Sequence, residues 1–291
     1  MVGAHIAPAL GAHGPSLDRL WHRLRLFLRS SAGIPQNTSM TERTQLLQTL
    51  DQILQPGKFK DYGPNGLQVE GRPQVRKLVS GVTASLAMIE AAVAAGADTL
   101  LVHHGLFWRG QDGRVTGWMK KRLALLLQHD LNLLAYHLPL DAHPELGNNA
   151  QLGKRLGLTV TGRFGEQDLG FIGQRADGAV FATPQALSEH VQRALHKTPV
   201  HVGPANGEIR TLGWCTGGAQ GYFEGAIAAG VDAFLTGEIS EPQAHYAREC
   251  GVHFLACGHH ATERYGAPAV AGHVAELLGL EHEFIDIDNP A

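Results

Sequence analysis

Glu90-Ala91-Ala92-Val93-Ala94-Ala95-Gly96-Ala97-Asp98-Thr99-Leu100-Leu101-Val102-His103-His104-Gly105 holds the reading that decides the fold. An alanine-rich helix stops at a glycine turn, and a short apolar run follows that ends abruptly in two histidines. A short apolar run bounded by a turn and by polar residues is the pattern of a strand buried on both faces, as in a parallel sheet. Working outward, Leu78–Val82 reads as a preceding strand and Ser85–Ala95 as the helix. Downstream, Trp118–Gln128 reads as a helix and Leu131–Tyr136 as a further strand. This alternation predicts an α/β fold, a mostly parallel sheet flanked by helices.

The same stretch has an echo. Glu90–Leu101 aligns with Glu224–Leu235 at an offset of 134, with seven of twelve positions identical. Alanine-rich helices match one another easily, so the weight rests on the shared Gly-x-Asp turn and the strand behind it. The echo predicts two similar lobes related by duplication: 40–162 as the first and 163–291 as the second, with the C-terminal part packing back on the first. Asp168–Gln174, the helix Thr183–Leu195 and the strand Val200–Val202 fall to the second lobe. A helix over 267–278 and a strand Phe284–Ile287 close the chain. At the start of the first lobe, Leu46, Leu47, Leu50, Ile53 and Leu54 recur at helical spacing up to Pro56-Gly57. Residues 1–39 carry four arginines against Asp18 alone. They read as a disordered extension, an upstream start codon or an organelle transit segment.

The formal charge is −3, which points away from a nucleic-acid partner. No apolar run approaches the roughly 18 residues of a membrane span. Three cysteines, Cys215, Cys250 and Cys257, form no framework, so a reduced, cytoplasmic setting is expected.

Histidine stands out at 17 residues, and three segments give it a pattern. Leu100–Val102 runs into His103-His104. Leu133–Tyr136 runs into His137, Leu138, Pro139, Leu140 and Asp141. Phe254–Cys257 runs into Gly258, His259, His260, Ala261, Thr262 and Glu263. Each is an apolar strand with ligand-type side chains at its carboxyl end, where functional groups gather in open α/β sheets. Imidazole and carboxylate suit Zn, Fe, Mn or Ni. Neighbours on an extended backbone point to opposite sides, so His103 and His104 should serve different ions unless the chain turns at Gly105. His259 and Glu263, four apart, share a face if a helix begins near 259. A protonic His/Asp/Glu hydrolase site and plain polar strand ends are the competing readings. Glu238, after the second strand of the echo, reads as a general base or as a residue orienting a histidine. Asn65 and Asn149 read as turn and cap residues, and Arg109, Lys120, Lys121 and Arg122 as solvated charges that could also meet phosphates.

At these residues the sequence resembles the GTP cyclohydrolase 1 type 2 homologues, also called NIF-three-like dinuclear-metal proteins. The motifs are Asp61-Tyr62-Gly63-Pro64-Asn65-Gly66-Leu67-Gln68-Val69-Glu70-Gly71, Val102-His103-His104-Gly105, His137-Leu138-Pro139-Leu140-Asp141, Gly147-Asn148-Asn149, Gly237-Glu238 and Gly258-His259-His260-Ala261-Thr262-Glu263. They span about 40–291, in the short bacterial form. The resemblance implies two three-layer α/β lobes and a metal site in the cleft between them. It implies two divalent ions (Zn, Fe, Mn, Ni or Mg) held by His103, His104, Asp141, His259 and Glu263, with His137 as a further candidate. It also implies a homo-oligomer, a hexameric ring. The expected function is a metal-dependent hydrolase of a small molecule not identified by the sequence. The alternative is a non-catalytic metal-holding or interaction assembly.

Overall fold

Two sheets organise residues 40–291, the part of the chain that the computed structural model describes; the expectations placed on 1–39 lie outside the described residues. In chain order the strands are β1 (Thr41–Glu42), β2 (Gly66–Val69), β3 (Gln74–Val75), β4 (Lys77–Thr83), β5 (Thr99–His104), β6 (Asn132–Ala135), β7 (Leu158–Phe164), β8 (Gly170–Arg175), β9 (Val200–Val202), β10 (Leu212–Trp214), β11 (Ala233–Thr236), β12 (His253–Ala256) and β13 (Glu281–Phe284). The first sheet has the order β13-β4-β5-β6-β2 and the second β7-β8-β10-β11-β12-β9, while β1 and β3 form a small ribbon.

At the centre of each sheet lies a parallel triple, β4-β5-β6 and β10-β11-β12. Each triple carries an antiparallel strand on its last member, β2 on β6 and β9 on β12. The Gly-x-Asp turns of the echo occupy matching places. Gly96 and Gly230 both take the positive φ (70° and 75°) that favours glycine. Asp98 Oδ2 accepts the backbone N–H groups of Arg76 and Lys77 at the start of β4, and Asp232 Oδ2 accepts those of Arg210 and Thr211 ahead of β10. The shared aspartate thus ties the start of one strand to the start of its parallel neighbour.

Strand side chains alternate between faces. Leu78, Leu101 and Leu134 pack against Leu46 and Leu50 of the helix Arg43–Leu54 and against Val270 and Val274 of the helix Gly266–Leu278. Val79, Leu100 and Leu133 face Met88, Ile89 and Ala92 of the helix Leu86–Ala94 on the other side. The second sheet repeats this arrangement, with Leu212, Leu235 and Leu255 against Leu187 and Val191, and Phe234 and Phe254 against Phe223 and Ala247. Each leucine held in such a layer is worth about 1.5–3 kcal/mol relative to exposure, so the layers fix strand order and direction.

The chain from Met40 enters β1 before its first helix. Two expectations shift. The division placed at 162/163 falls inside β7, whose pairing is with β8 of the second sheet, so sheet membership changes before Leu158. The last strand runs over Glu281–Phe284, earlier than Phe284–Ile287, and pairs with β4 in the first sheet. Its backbone ladder holds it at the sheet edge, where its side chains add Arg76–Glu281 and Lys77–Glu283 pairs at 2.7 Å each. Such a charged strand has little apolar pattern, whereas Ile285 and Ile287, which carry one, pack on the core beyond its end. Among the described residues no helix is long and apolar enough to cross a membrane.

Candidate metal centre

The carboxyl ends of β5, β6, β11 and β12 converge, and with them the polar residues that terminate these strands. His103 and His104 close β5. His137 follows β6 and leads into the short helix Leu138–Ala142, which carries Asp141. His259 and Glu263 lie one turn apart on the helix His259–Glu263, directly after β12. All six side chains meet, and Glu263 is at the centre. Its Oε1 lies 3.4 Å from His103 Nε2. Its Oε2 lies 3.2 Å from His104 Nε2 and 3.1 Å from His259 Nε2. Asp141 Oδ1 lies 3.5 Å from His103 Nε2. The adjacent histidines converge rather than diverge, with ring centroids 4.4 Å apart. They nevertheless address different oxygens of one carboxylate, and His104, the last strand residue, hydrogen-bonds through Nδ1 to Thr83 Oγ1 at 3.1 Å.

Each histidine of the cluster is held in the same way, by its Nδ1. His103 Nδ1 donates to the Tyr136 carbonyl at 3.1 Å, His137 Nδ1 to Asp61 Oδ1 at 2.6 Å and His259 Nδ1 to Glu238 Oε1 at 2.6 Å. Tying Nδ1 fixes the tautomer and leaves Nε2 as the free donor atom, which is how outer partners prepare imidazole for a metal. Asp141 is positioned likewise, its Oδ1 accepting from Asn148 Nδ2 at 2.9 Å and Thr216 Oγ1 at 3.2 Å.

Charge accumulates where the donors meet. Burial alone would hold His103 neutral, but Asp141 and Glu263 outweigh it and raise its pKa to about 9. His259, partly buried, is likewise raised to about 9 by Glu263 and Glu238. Burial and the neighbouring His103 push His104 down to about 3. Burial would raise Glu263, yet His103 and His104 hold it well below the usual carboxylate range, whereas Asp141 is raised by burial despite His103. Asp61 stays at about 2 because the His137 contact outweighs its burial.

These residues fit a metal. His103 Nε2 and Glu263 Oε2 are buried and have no hydrogen-bond partner, although leaving such groups unpaired costs about 1–3 kcal/mol or more. Three groups of donor atoms, each within 4.8 Å of one another, could hold an ion: His103–His104–His137, His104–His259–Glu263 and His103–Asp141–Glu263.

Other readings now have places. Glu238 contacts His259, the geometry of an orienting residue. Asn65 and Asn149 cap no helix. Asn65 accepts from the His137 backbone N–H and donates to Asp61, and Asn149 links Asp141, Leu169 and Thr216 across the two sheets. His260 turns away to Asp286 at 2.8 Å, and Cys257 is core. Sequence patterns assign no role to Asp61, Thr83, Asn148 or Thr216. Asp61 and Asn148 carry a signal, since each stands in a motif of the resemblance, Asp61 as the acid that opens a turn-rich stretch. From the cluster opens a cavity of about 540 Å³, lined by Tyr62, Trp108, Arg122, Cys215 and Tyr222 among others.

The chain is thus a mixed α/β protein whose parallel strands end in a histidine–carboxylate cluster that could hold metal. A family model described as Duf34/NIF3 (NGG1p interacting factor 3) matches residues 41–290, and the chain belongs to that family. It is 52% identical over 252 residues to the GTP cyclohydrolase 1 type 2 homolog of Neisseria meningitidis serogroup A, covering 87% of this chain and 100% of the relative. It is 45% identical over 257 residues to the protein of the same name from Escherichia coli K12, covering 86% and 100%. Among solved structures, the protein ybgI, of unknown function, matches with a TM-score of 0.82 at 45% identity, covering 86% of this chain and 100% of that one. TTHA1606 from Thermus thermophilus matches with a TM-score of 0.77 at 32% identity and the same coverage.

Proposed function

We propose that this protein is a metal-dependent hydrolase with a two-ion centre, acting on a small molecule held in the adjoining cavity. The observation that carries the reading is Glu263, whose two oxygens face different partners. Oε1 faces His103, which also faces Asp141, and Oε2 faces His104 and His259. Such a carboxylate could serve two ions, one that His103, Asp141 and Glu263 would hold and one that His104, His259 and Glu263 would hold. His137 is the further donor, with Nδ1 held by Asp61.

Bound divalent ions supply Lewis-acid chemistry, stabilising the negative charge that develops on an attacked oxygen. The chain's own residues do the rest. Asp61, Glu238, Thr83 and the Tyr136 carbonyl keep four imidazoles in one orientation. Asn148 and Thr216 hold the Asp141 carboxylate toward His103. Tyr62, Trp108 and Tyr222 give the cavity aromatic surface for the body of a substrate, and Trp108 stands edge-on to His137 at 5.1 Å between ring centroids. Glu238 orients His259 in this reading. Assembly into a hexameric ring is proposed on the resemblance alone, and light scattering tests it.

The test is elemental analysis of the purified protein followed by a panel of phosphate esters, amides and GTP, with an Asp141→Ala/Glu263→Ala control. Two ions per chain and metal-dependent turnover lost in the control are expected. Metal content near zero after loading overturns the reading. GTP is not expected to be the best substrate, since the sequence has no recognisable guanine-reading motif. Metal-dependent formate release from GTP faster than every other turnover would reverse that view.

A further inference from the structure

Arg122 lies on the wrong side of its helix. In Gly117–Gln128 the buried positions are Met119 and Leu126, and residue 122 falls between them at spacings of three and four. Lys120 and Lys121, the neighbouring cations, are exposed, whereas Arg122 is half-buried and lines the same cavity as His104 and Trp108. Its Nε is buried without a hydrogen-bond partner. Its guanidinium lies over the Trp118 ring at 4.7 Å, a contact that neutralises nothing. Among the described residues no carboxylate forms an ion pair with it. Burial disfavours its charged form. The cavity's other peripheral charge, Glu166, is exposed and screened by solvent.

An arginine on an apolar stripe without a counter-charge is costly unless something pairs with it. A planar guanidinium matches carboxylate and phosphate oxygens with two parallel hydrogen bonds. Resting on the hydrolase reading above, we infer that Arg122 is the anion anchor of the cavity, and that the substrate is a small organic anion, a phosphate or a carboxylate on a flat body. The flat body lies among Tyr62, Trp108 and Tyr222, and the anion sits on Arg122.

The test is binding, measured by calorimetry on metal-loaded full-length protein. The probes are phenylphosphonate, benzoate and neutral benzyl alcohol; the proteins are wild type, Arg122→Gln and Arg122→Lys. Melting temperature and metal content of each variant are recorded alongside. At least one anion should bind wild type, and Arg122→Gln should weaken it by about tenfold or more, with Arg122→Lys between. Benzyl alcohol should be indifferent to the substitution. The ratio of phosphonate to benzoate binding says which anion the site prefers. Anion binding unchanged in Arg122→Gln, neither anion binding wild type, or equal loss of the neutral probe overturns the inference. Absence of metal or of turnover would sink the hydrolase reading while leaving the Arg122 dependence of binding standing, so the two failures are distinguishable.

Discussion

Replacing Glu263 by Gln should cost far more metal affinity than the same change at Glu238. Glu263 is almost fully buried and places its two oxygens 3.1–3.4 Å from the Nε2 atoms of three histidines. Glutamine keeps one oxygen, turns the other into an NH₂ that cannot ligate, and removes the charge. Glu238 touches the cluster only through His259 Nδ1, with a side chain that is 46% exposed. Loss of an outer partner typically weakens metal binding about 10–100-fold, and Glu238→Gln should fall near the lower end. Glu263→Gln should exceed that range, reaching roughly 1000-fold, or about 4 kcal/mol at roughly 1.4 kcal/mol per tenfold. Competition titration of one metal, zinc, against a chromophoric chelator measures both variants on one scale. Equal affinities would refute the assignment of Glu263 to the centre of the site.

Metal uptake should be pH-dependent, because His103 and His259, both raised to about 9, must lose protons to ligate. Apparent affinity should climb as pH rises toward about 9 and then flatten, with protons released on binding; a flat profile from about pH 6.5 to about 9 contradicts it. Protonation of the same raised groups stabilises the chelator-treated fold fully below the unfolded value near 6.5 and is lost as pH rises through about 9, so its melting temperature should fall over that window. Asp61→Asn should destabilise the protein by about 2 kcal/mol in denaturant melts, since it removes a charged acceptor of the His137 ring and the Leu138 N–H. Because the pKa of Asp61 is depressed to about 2, its contribution is present above the unfolded value of 3.8 and lost as pH falls through about 2; an Asn variant as stable as wild type near neutral pH would show the contact to be idle.

The strands that carry the site are legible because each is an apolar run ending in ligand-type residues. That pattern exists only where a buried parallel strand meets a functional edge. His259 and Glu263 are legible as a pair through helical spacing. What periodicity cannot show is which distant segment meets which. Asp61 and His137 are 76 residues apart, and Thr216 and Asp141 are 75 apart. Their contacts depend on how the strand ends and the turns between them approach one another. Convergence of His103 and His104 is hidden for a related reason, since a strand's last residue is no longer bound by the pleat. Arg122 reads as a solvated charge in the sequence because cations on helices usually are. The apolar stripe of Met119 and Leu126 on either side of it is the signal available.

Gly217 is a position that no motif singles out, and it allows the geometry of the site to be tested apart from its charge. Its φ is +71°, and a Cβ there would lie 1.9 Å from Glu263 Oε1 and 3.1 Å from His259 Nε2. Alanine at 217 therefore forces the central carboxylate to move while leaving every donor atom present. It also adds the backbone strain of a side chain in the left-handed region, about 1–2 kcal/mol. Gly230 separates the two effects. It has nearly the same φ, +75°, and a Cβ there meets nothing within 4 Å. Gly230→Ala should cost about 1 kcal/mol of stability and no metal affinity, whereas Gly217→Ala should show a similar or larger stability loss together with at least a roughly tenfold loss of metal affinity, comparable with losing an outer partner. Denaturant melts of metal-free protein and chelator competition give the two readouts independently. Metal affinity in Gly217→Ala equal to that in Gly230→Ala would mean that the carboxylate can shift without consequence, and that Glu263 is not held where the ions need it.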